Sequence, residues 1–363
     1  MKHTILVAGV DYGHLPKGVN FRIFCDSRVK RILARNTKKE DLTFQIFDFR
    51  RGEVATHEFT YPAKKRVEKT TKLTPSPFKS ISRANYDVSG SEPRFKDGQR
   101  DTMSVLDIYR AVQKVGVDAP NTLAELSIFS HGWLGGPILV NSDDDGMATF
   151  IGPLSSAPPL RFRLPSGARD PDDMDPRPTD FTPPTMDAVA LGNFQNAFSK
   201  DGYIWIWGCA FPRVVHEILT KIERHPTYRE RGLGDETVFK IKNLNPEQAD
   251  LLELKVMYAL GGPFPDKRNI EIKFKFLKYF FCQFTEESYS HHIAKNSKVK
   301  VYGAVQGTYA DYDSGSLPLM HVYTKGFARH FTFYKNYLGF NFDPEGRKYG
   351  EYKPGFTCAV PSP

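Results

Sequence analysis

Four cysteines in 363 residues are too few, and too widely scattered, to form a disulfide scaffold. Cys25, Cys209, Cys282 and Cys358 make no CxxC pair, so no metal-binding spacing is present either, and the pattern points to a reducing compartment. Long hydrophobic runs are absent from the amino-terminal region. The apolar run at 5–10 stops at Asp11, short of a signal-peptide core and of a membrane span. A cytoplasmic location is therefore expected, with leaderless export as the other route. Internal repeats are missing, which removes the solenoid and array architectures. Fifty Lys and Arg against 42 Asp and Glu leave a net charge of +8, but no nucleic-acid-binding motif accompanies it. Basic pieces such as Ala63-Lys64-Lys65-Arg66 sit in ordinary mixed sequence and read as solvated surface. What remains is a globular chain, 40% apolar and 13% aromatic, long enough for one large core with insertions.

The residues that are present organise around 123–137, LAELSIFSHGWLGGP. An apolar run broken at Ser130-His131-Gly132 reads as a buried strand ending in a turn. Downstream, Tyr203-Ile204-Trp205-Ile206-Trp207 is a second such run, ending in Gly208-Cys209. In open α/β sheets the site lies beyond the carboxyl ends of the strands. A histidine and a cysteine on two strand tips make a candidate nucleophile–base pair.

The rest of the chain builds a sheet for those tips. Residues 4–10 and 42–49 read as strands with a helix between them, capped by Asn20, which is a βαβ unit and implies a parallel sheet. Residues 51–100 are polar and punctuated by Pro and Gly, and read as an insertion with short strands at most. Asp101 is a good N-cap for a helix through Val115, with Gly116 ending it. Asp143-Asp144-Asp145-Gly146 lacks the alternating ligands of a calcium loop and reads as a solvated turn. Residues 152–185 form an irregular excursion, and 188–198 a helix. Pro212 starts a helix immediately after Cys209, a placement that favours a thiolate. Residues 246–260 are helical in pattern. Residues 270–284 begin with strand alternation and turn helical at no fixed point. Residues 299–305 are the last core strand, followed by Gln306-Gly307-Thr308-Tyr309-Ala310-Asp311 and an aromatic tail. His291 and His292, adjacent on a helix, point about 100° apart and suggest a surface role rather than a metal site.

The apolar runs ending in His131-Gly132 and Gly208-Cys209, with a helix between them, resemble those of the caspase-like cysteine peptidases, the superfamily of caspases, legumain, gingipains and separase. The resemblance covers about half the chain and rests on short motifs. It implies a three-layer α/β/α sandwich with a mostly parallel central sheet and long insertions. It also implies a His131/Cys209 dyad on neighbouring strands, and oxyanion donors at the backbone N–H groups of Gly132 and Cys209. One α/β domain spans 1–363. Its core segments are about 1–50, 101–151, 186–224 and 295–326, its insertions about 51–100, 152–185 and 225–294, and its carboxyl-terminal extension about 327–363. The implied partner is a peptide or protein substrate, with no cofactor, metal or nucleic acid. The loop after the last core strand carries Asp311 and Asp313 with Tyr309 and Tyr312 interleaved, and no Lys or Arg before Lys325. Over a cleft, such a loop would favour a basic substrate side chain.

Two alternatives stay open on the residues. His131-Gly132-Trp133-Leu134-Gly135-Gly136 resembles the oxyanion loop of α/β-hydrolase lipases and esterases, although the chain has no G-x-S-x-G. A caspase-like fold without activity, serving as a binding module, is the other.

Overall fold

The computed structural model describes residues 1–11, 19–72, 103–133, 136–140, 176–183, 185–229, 233–267 and 269–362, with two-residue strands at Tyr86–Asp87 and Arg94–Phe95. The acidic turn at 143–146, most of the 152–185 excursion and the middle of the glycine-rich loop, 134–135, lie outside the described residues.

Eight strands form one sheet: β1 (Lys2–Ala8), β2 (Leu42–Asp48), β3 (Glu53–Thr60), β4 (Val67–Lys72), β5 (Leu123–Phe129), β6 (Phe198–Ile206), β7 (Lys300–Gly303) and β8 (Gly350–Tyr352). Their spatial order is β8-β7-β6-β5-β1-β2-β3-β4. The five central strands, β7 to β2, run parallel, while β8 on one side and β3 and β4 on the other are antiparallel. β1 and β5 are buried along most of their length, as their unbroken apolar runs require.

Helix α1 (Arg22–Arg35) links β1 to β2; its cap position falls at Phe21, without a capping side chain, rather than at Asn20, whose Oδ1 one residue earlier still accepts from Arg22 N at 3.2 Å. Helices α2 (Val105–Asp118) and α3 (Ala188–Ala197) lead into β5 and β6 in the opposite direction across the sheet. Right-handed crossovers running in opposite directions place their helices on opposite faces. The result is the three-layer, mostly parallel α/β arrangement. Helix α4 (Arg213–Arg224) follows Cys209, as the Pro212 signal predicts.

Two segments depart from expectation, and a third fixes a boundary the sequence left open. Residues 53–72 are not an insertion: β3 and β4 extend the central sheet. Every residue of β4 is exposed, so Val-Glu-Lys-Thr-Thr-Lys carries no apolar face that could announce a strand. Its charges are those of an edge strand that resists further pairing. The tail after 327 is likewise part of the core. It holds helix α8 (Ala328–Leu338) and β8, and buries Tyr334, Tyr349 and Tyr352. The aromatic stretch resolves at Phe274. Ile270 and Ile272 are buried in an antiparallel ribbon, Val238–Lys242 with Asn269–Lys273, which lies outside the main sheet. From there helices α6 (Phe274–Glu286) and α7 (Tyr289–Ser297) run on, α6 packing against both α5 (Pro246–Leu260) and α7.

The carboxyl-terminal segment is pinned to the amino-terminal helix by a buried cation. Arg28 on α1 gives Nε and Nη2 to the Glu125 carboxylate of β5 at 2.8 and 2.9 Å, and Nη1 to Glu345 at 2.7 Å. Its guanidinium also stacks 5.3 Å from the Trp205 ring centroid. A charge buried this deeply is tolerated because the carboxylates and the Tyr203 hydroxyl satisfy it.

The cysteine reading is corrected at the other end of that segment. Cys282 on α6 and Cys358 form a disulfide with a Cα separation of 5.7 Å, 76 residues apart in sequence. A pair made only by tertiary folding leaves no spacing signature. A disulfide is at home in oxidising compartments and counts against the reducing one that the spacing suggests. No helix among the described residues is long and apolar enough to cross a membrane.

Candidate active site

β5 and β6 are parallel neighbours, with Ile128 opposite Ile206, so the residues that follow them emerge side by side at one edge of the sheet. The chains then touch. A Cβ on Gly132 would overlap the Cys209 carbonyl oxygen and lie 2.7 Å from its nitrogen, and one on Gly208 would lie 2.9 Å from the His131 carbonyl oxygen. Both glycines are required by this backbone-to-backbone approach. It brings the His131-Gly132 and Gly208-Cys209 segments together as their strand-end positions predict.

Cys209 is half-buried, and its sulfur accepts a hydrogen bond from Ala310 N at 3.2 Å. Burial pushes the thiol above its ordinary range, while backbone hydrogen bonds from Ala310 and Gly132 pull it back toward the thiolate and the nearby Asp311 carboxylate opposes ionisation. The pull toward a thiolate expected from the helix after Cys209 is opposed here. Desolvation outweighs the backbone donors, and α4 begins only at Arg213. The other free cysteine, Cys25, is fully buried.

His131 has a partner that the sequence reading passed over. Asp11 follows β1, the strand on the far side of β5, and reaches the same sheet edge. Its Oδ1 lies 3.1 Å from His131 Nε2, and its Oδ2 accepts from Val19 N at 2.5 Å. Asp11 is buried, whereas the His131 side chain remains about a third exposed, with Phe21 edge-on at 5.4 Å. With the proton on Nε2 facing this carboxylate, the lone pair sits on Nδ1. The available signal was positional: a carboxylate three residues beyond the first parallel strand shares an edge with whatever follows the next one.

The loop after β7 runs alongside Cys209. Ala210 pairs with Thr308 in an isolated bridge, and Ala310–Tyr312 forms a ribbon with Met320–Val322. Tyr309 stacks on Tyr323 at 5.0 Å and meets Phe211 edge-on at 5.8 Å, forming an aromatic wall beside the cysteine. Asp311 is exposed and close enough to disfavour the Cys209 thiolate. Asp313 is not the uncompensated carboxylate expected from local sequence. Arg347, from the tail, forms an ion pair with it, and His321 Nδ1 lies 3.4 Å away.

His291 and His292 are not a surface pair. His291 is buried on α7, with desolvation pushing its pKa down to about 4, and His292 is half-buried and lowered for the same first reason. Among the described residues, no three His, Cys, Asp or Glu side chains converge as metal ligands.

No protein-family profile matches the chain, and no curated protein matches it. Among solved structures it is similar to a secreted C11 cysteine protease from Bacteroides thetaiotaomicron, solved with an irreversible peptide inhibitor. Identity is 9% and the TM-score 0.26, over 94% of this chain and 71% of that one. A likeness this loose carries no weight on its own, and the site rests on its geometry.

Proposed function

We propose that the chain is a caspase-like cysteine peptidase in which Cys209 is the nucleophile, His131 the general base and acid, and Asp11 the group that orients His131. The observation that supports this best is the contact of the two strand ends, glycine against cysteine, with a buried carboxylate on the far side of the histidine. A nucleophile, a base and an orienting group in sequence across three neighbouring strands is the arrangement acyl transfer needs.

The chemistry follows from the raised thiol. Cys209 waits as S–H, and His131 Nδ1 takes the proton as the sulfur attacks the substrate carbonyl carbon. Negative charge develops on the carbonyl oxygen, where the N–H groups of Gly132 and Cys209 would receive it. His131, now an imidazolium facing Asp11, returns the proton to the leaving amine. Water, deprotonated by the same histidine, then hydrolyses the thioester and restores the thiol. For the substrate side chain, Asp311 is the carboxylate available to a basic residue, with Tyr309 beside it. Asp313 would contribute only by exchanging Arg347 for the substrate.

An iodoacetamide-type probe tests the dyad directly. Labelling should fall on Cys209 alone, since Cys25 is buried and the other two cysteines are paired, and should fall at least about tenfold in His131→Ala. Equal labelling of wild type and His131→Ala, or reaction with a fluorophosphonate instead, would overturn the assignment. Profiling on a peptide library then reads the side-chain preference. Arg or Lys before the cleaved bond, weakened in Asp311→Asn, is the expected result.

A further inference from the structure

The sheet edge opposite the cleft gathers charge that the proposed chemistry does not use. The loop between α1 and β2 carries Lys38 and Lys39, and the loop between β3 and β4 carries Lys64, Lys65 and Arg66, all of them exposed. Far apart in sequence, the two loops meet because β2 and β3 pair antiparallel, with Leu42 opposite Phe59. Tyr61 N donates to Asp41 Oδ1 at 3.1 Å, and Lys39 Nζ donates to the Lys64 carbonyl oxygen at 2.9 Å. Lys39, Ala63 and Lys64 hold φ at +54°, +49° and +65°. That is left-handed backbone, unfavourable for residues with a side chain and free of such cost only for glycine.

The positive charge is not answered locally. Glu40 pairs with Lys2 at 2.6 Å, Asp41 accepts from the Tyr61 backbone, and Glu68 lies 3.9 Å from both Arg66 and His57. Among the described residues, no carboxylate pairs with Lys38, Lys39, Lys64 or Lys65. Counting Lys2 and Arg66 with these four, six basic side chains stand against three carboxylates at this edge. Farther along it, Lys200 and Lys298 are exposed against Asp201, so the sign of the edge does not reverse.

Apolar groups sit among the lysines. Val67, the first residue of β4, is 48% exposed, and Pro62 and Ala63 are exposed beside it. Lysines that attract anionic headgroups, next to side chains that can enter the interface, are the two components of binding at a membrane surface. Nucleic acid fits this edge less well. The two loops carry a single aromatic ring, the half-buried Tyr61, which gives bases no stacking platform. Lysines are also point charges without the fork that arginine offers to phosphate.

We infer that this edge docks on the surface of an anionic lipid bilayer. β1, β2 and β5 start here and run parallel to the edge that bears Asp11, His131 and Cys209. The seven residues of β5, at about 3.3 Å each, hold the two edges about 20 Å apart. A docked molecule therefore keeps its cleft away from the lipid and open to solution. The inference goes beyond the peptidase reading and does not rest on it.

Co-sedimentation of the full chain with vesicles tests it, and needs no reactive cysteine. Wild type should bind vesicles of phosphatidylglycerol and phosphatidylcholine in equal parts, and not phosphatidylcholine alone. Raising salt from about 0.1 M to about 1 M, which shortens screening from about 10 Å to about 3 Å, should release it. Each lysine near an anionic surface is worth about fivefold in partitioning. Lys38→Gln/Lys39→Gln/Lys64→Gln/Lys65→Gln should therefore bind at least about a hundredfold more weakly. A control of equal net charge, Lys240→Gln/Lys242→Gln/Lys325→Gln/Lys353→Gln, removes exposed lysines elsewhere and should stay within about threefold of wild type. Equal losses in the two variants would overturn the assignment to this edge, and absent or salt-insensitive binding by wild type would overturn the inference outright. Val67→Ser should weaken vesicle binding several-fold and leave retention on heparin unchanged. Tighter binding to RNA than to the vesicles would overturn the bilayer in favour of nucleic acid. Should the fourfold variant fail to fold, Lys38→Gln/Lys65→Gln replaces it, with a loss of about 25-fold expected. Unchanged binding there would overturn the inference equally.

Discussion

At the scale of single residues, the site depends on what Gly132 lacks. Its missing side chain is what lets the histidine segment lie against the cysteine backbone. Gly132→Ala should lower the unfolding free energy by about 1–3 kcal/mol, the usual effect of inserting a methyl group into filled space. Probe labelling of Cys209 should drop with it. A urea titration checks the first and the labelling assay the second; wild-type values in both would mean the two segments can part freely. His131 and Cys209 were legible because apolar runs ending in small residues mark strand tips. Asp11 was not, because a single carboxylate after a strand carries no local signal. Its role appears only when β1 is known to flank β5. The tail's Arg347, which occupies Asp313, was hidden for the same reason: 34 residues separate two groups that meet only in the folded chain.

At the scale of elements, the parallel strands were readable because burial on both faces leaves unbroken apolar sequence, whereas β4 was not, being exposed throughout. The helix leading into β5 was placed correctly, but both of its end signals were misread. Its cap is Ser104, in a capping box with Asp107, rather than Asp101. Gly116 does not stop the helix, which runs to Asp118. Instead Gly116 faces α3, and a Cβ there would overlap the Asn193 carbonyl oxygen. It is a packing glycine, and α2 and α3 approach backbone to backbone over it. Gly116→Ala, a change that favours an isolated helix by about 1 kcal/mol, should here destabilise the protein by about 1–3 kcal/mol. Thermal unfolding reads the sign: a higher Tm would show that α3 can yield.

At the scale of the molecule, the carboxyl-terminal segment is a brace rather than an extension. It carries an edge strand, Glu345 against Arg28, and Cys358 bonded to α6. A crosslink closing a loop of this length contributes about 2–5 kcal/mol. Cys282→Ser and reduction by dithiothreitol should therefore lower the denaturation midpoint similarly. Equal midpoints in reduced and oxidised protein would show that strand pairing and Glu345 hold the segment unaided.

The same brace bears on when the Cys209 segment can settle during synthesis. The Tyr349 hydroxyl donates to the carbonyl oxygen of Trp207 at 2.6 Å, two residues before the cysteine. Chains fold as they are synthesised, amino-terminal parts first. A ribosome that has passed residue 209 has already made the histidine, the cysteine and the aspartate. It has not yet made the loop that donates to the sulfur, nor the tyrosine that steadies the strand beneath it. A nascent chain thus carries Asp11, His131 and Cys209 before it has the loop and the tyrosine that hold the Cys209 segment in place, so that segment can reach its final arrangement only when the last residues are made.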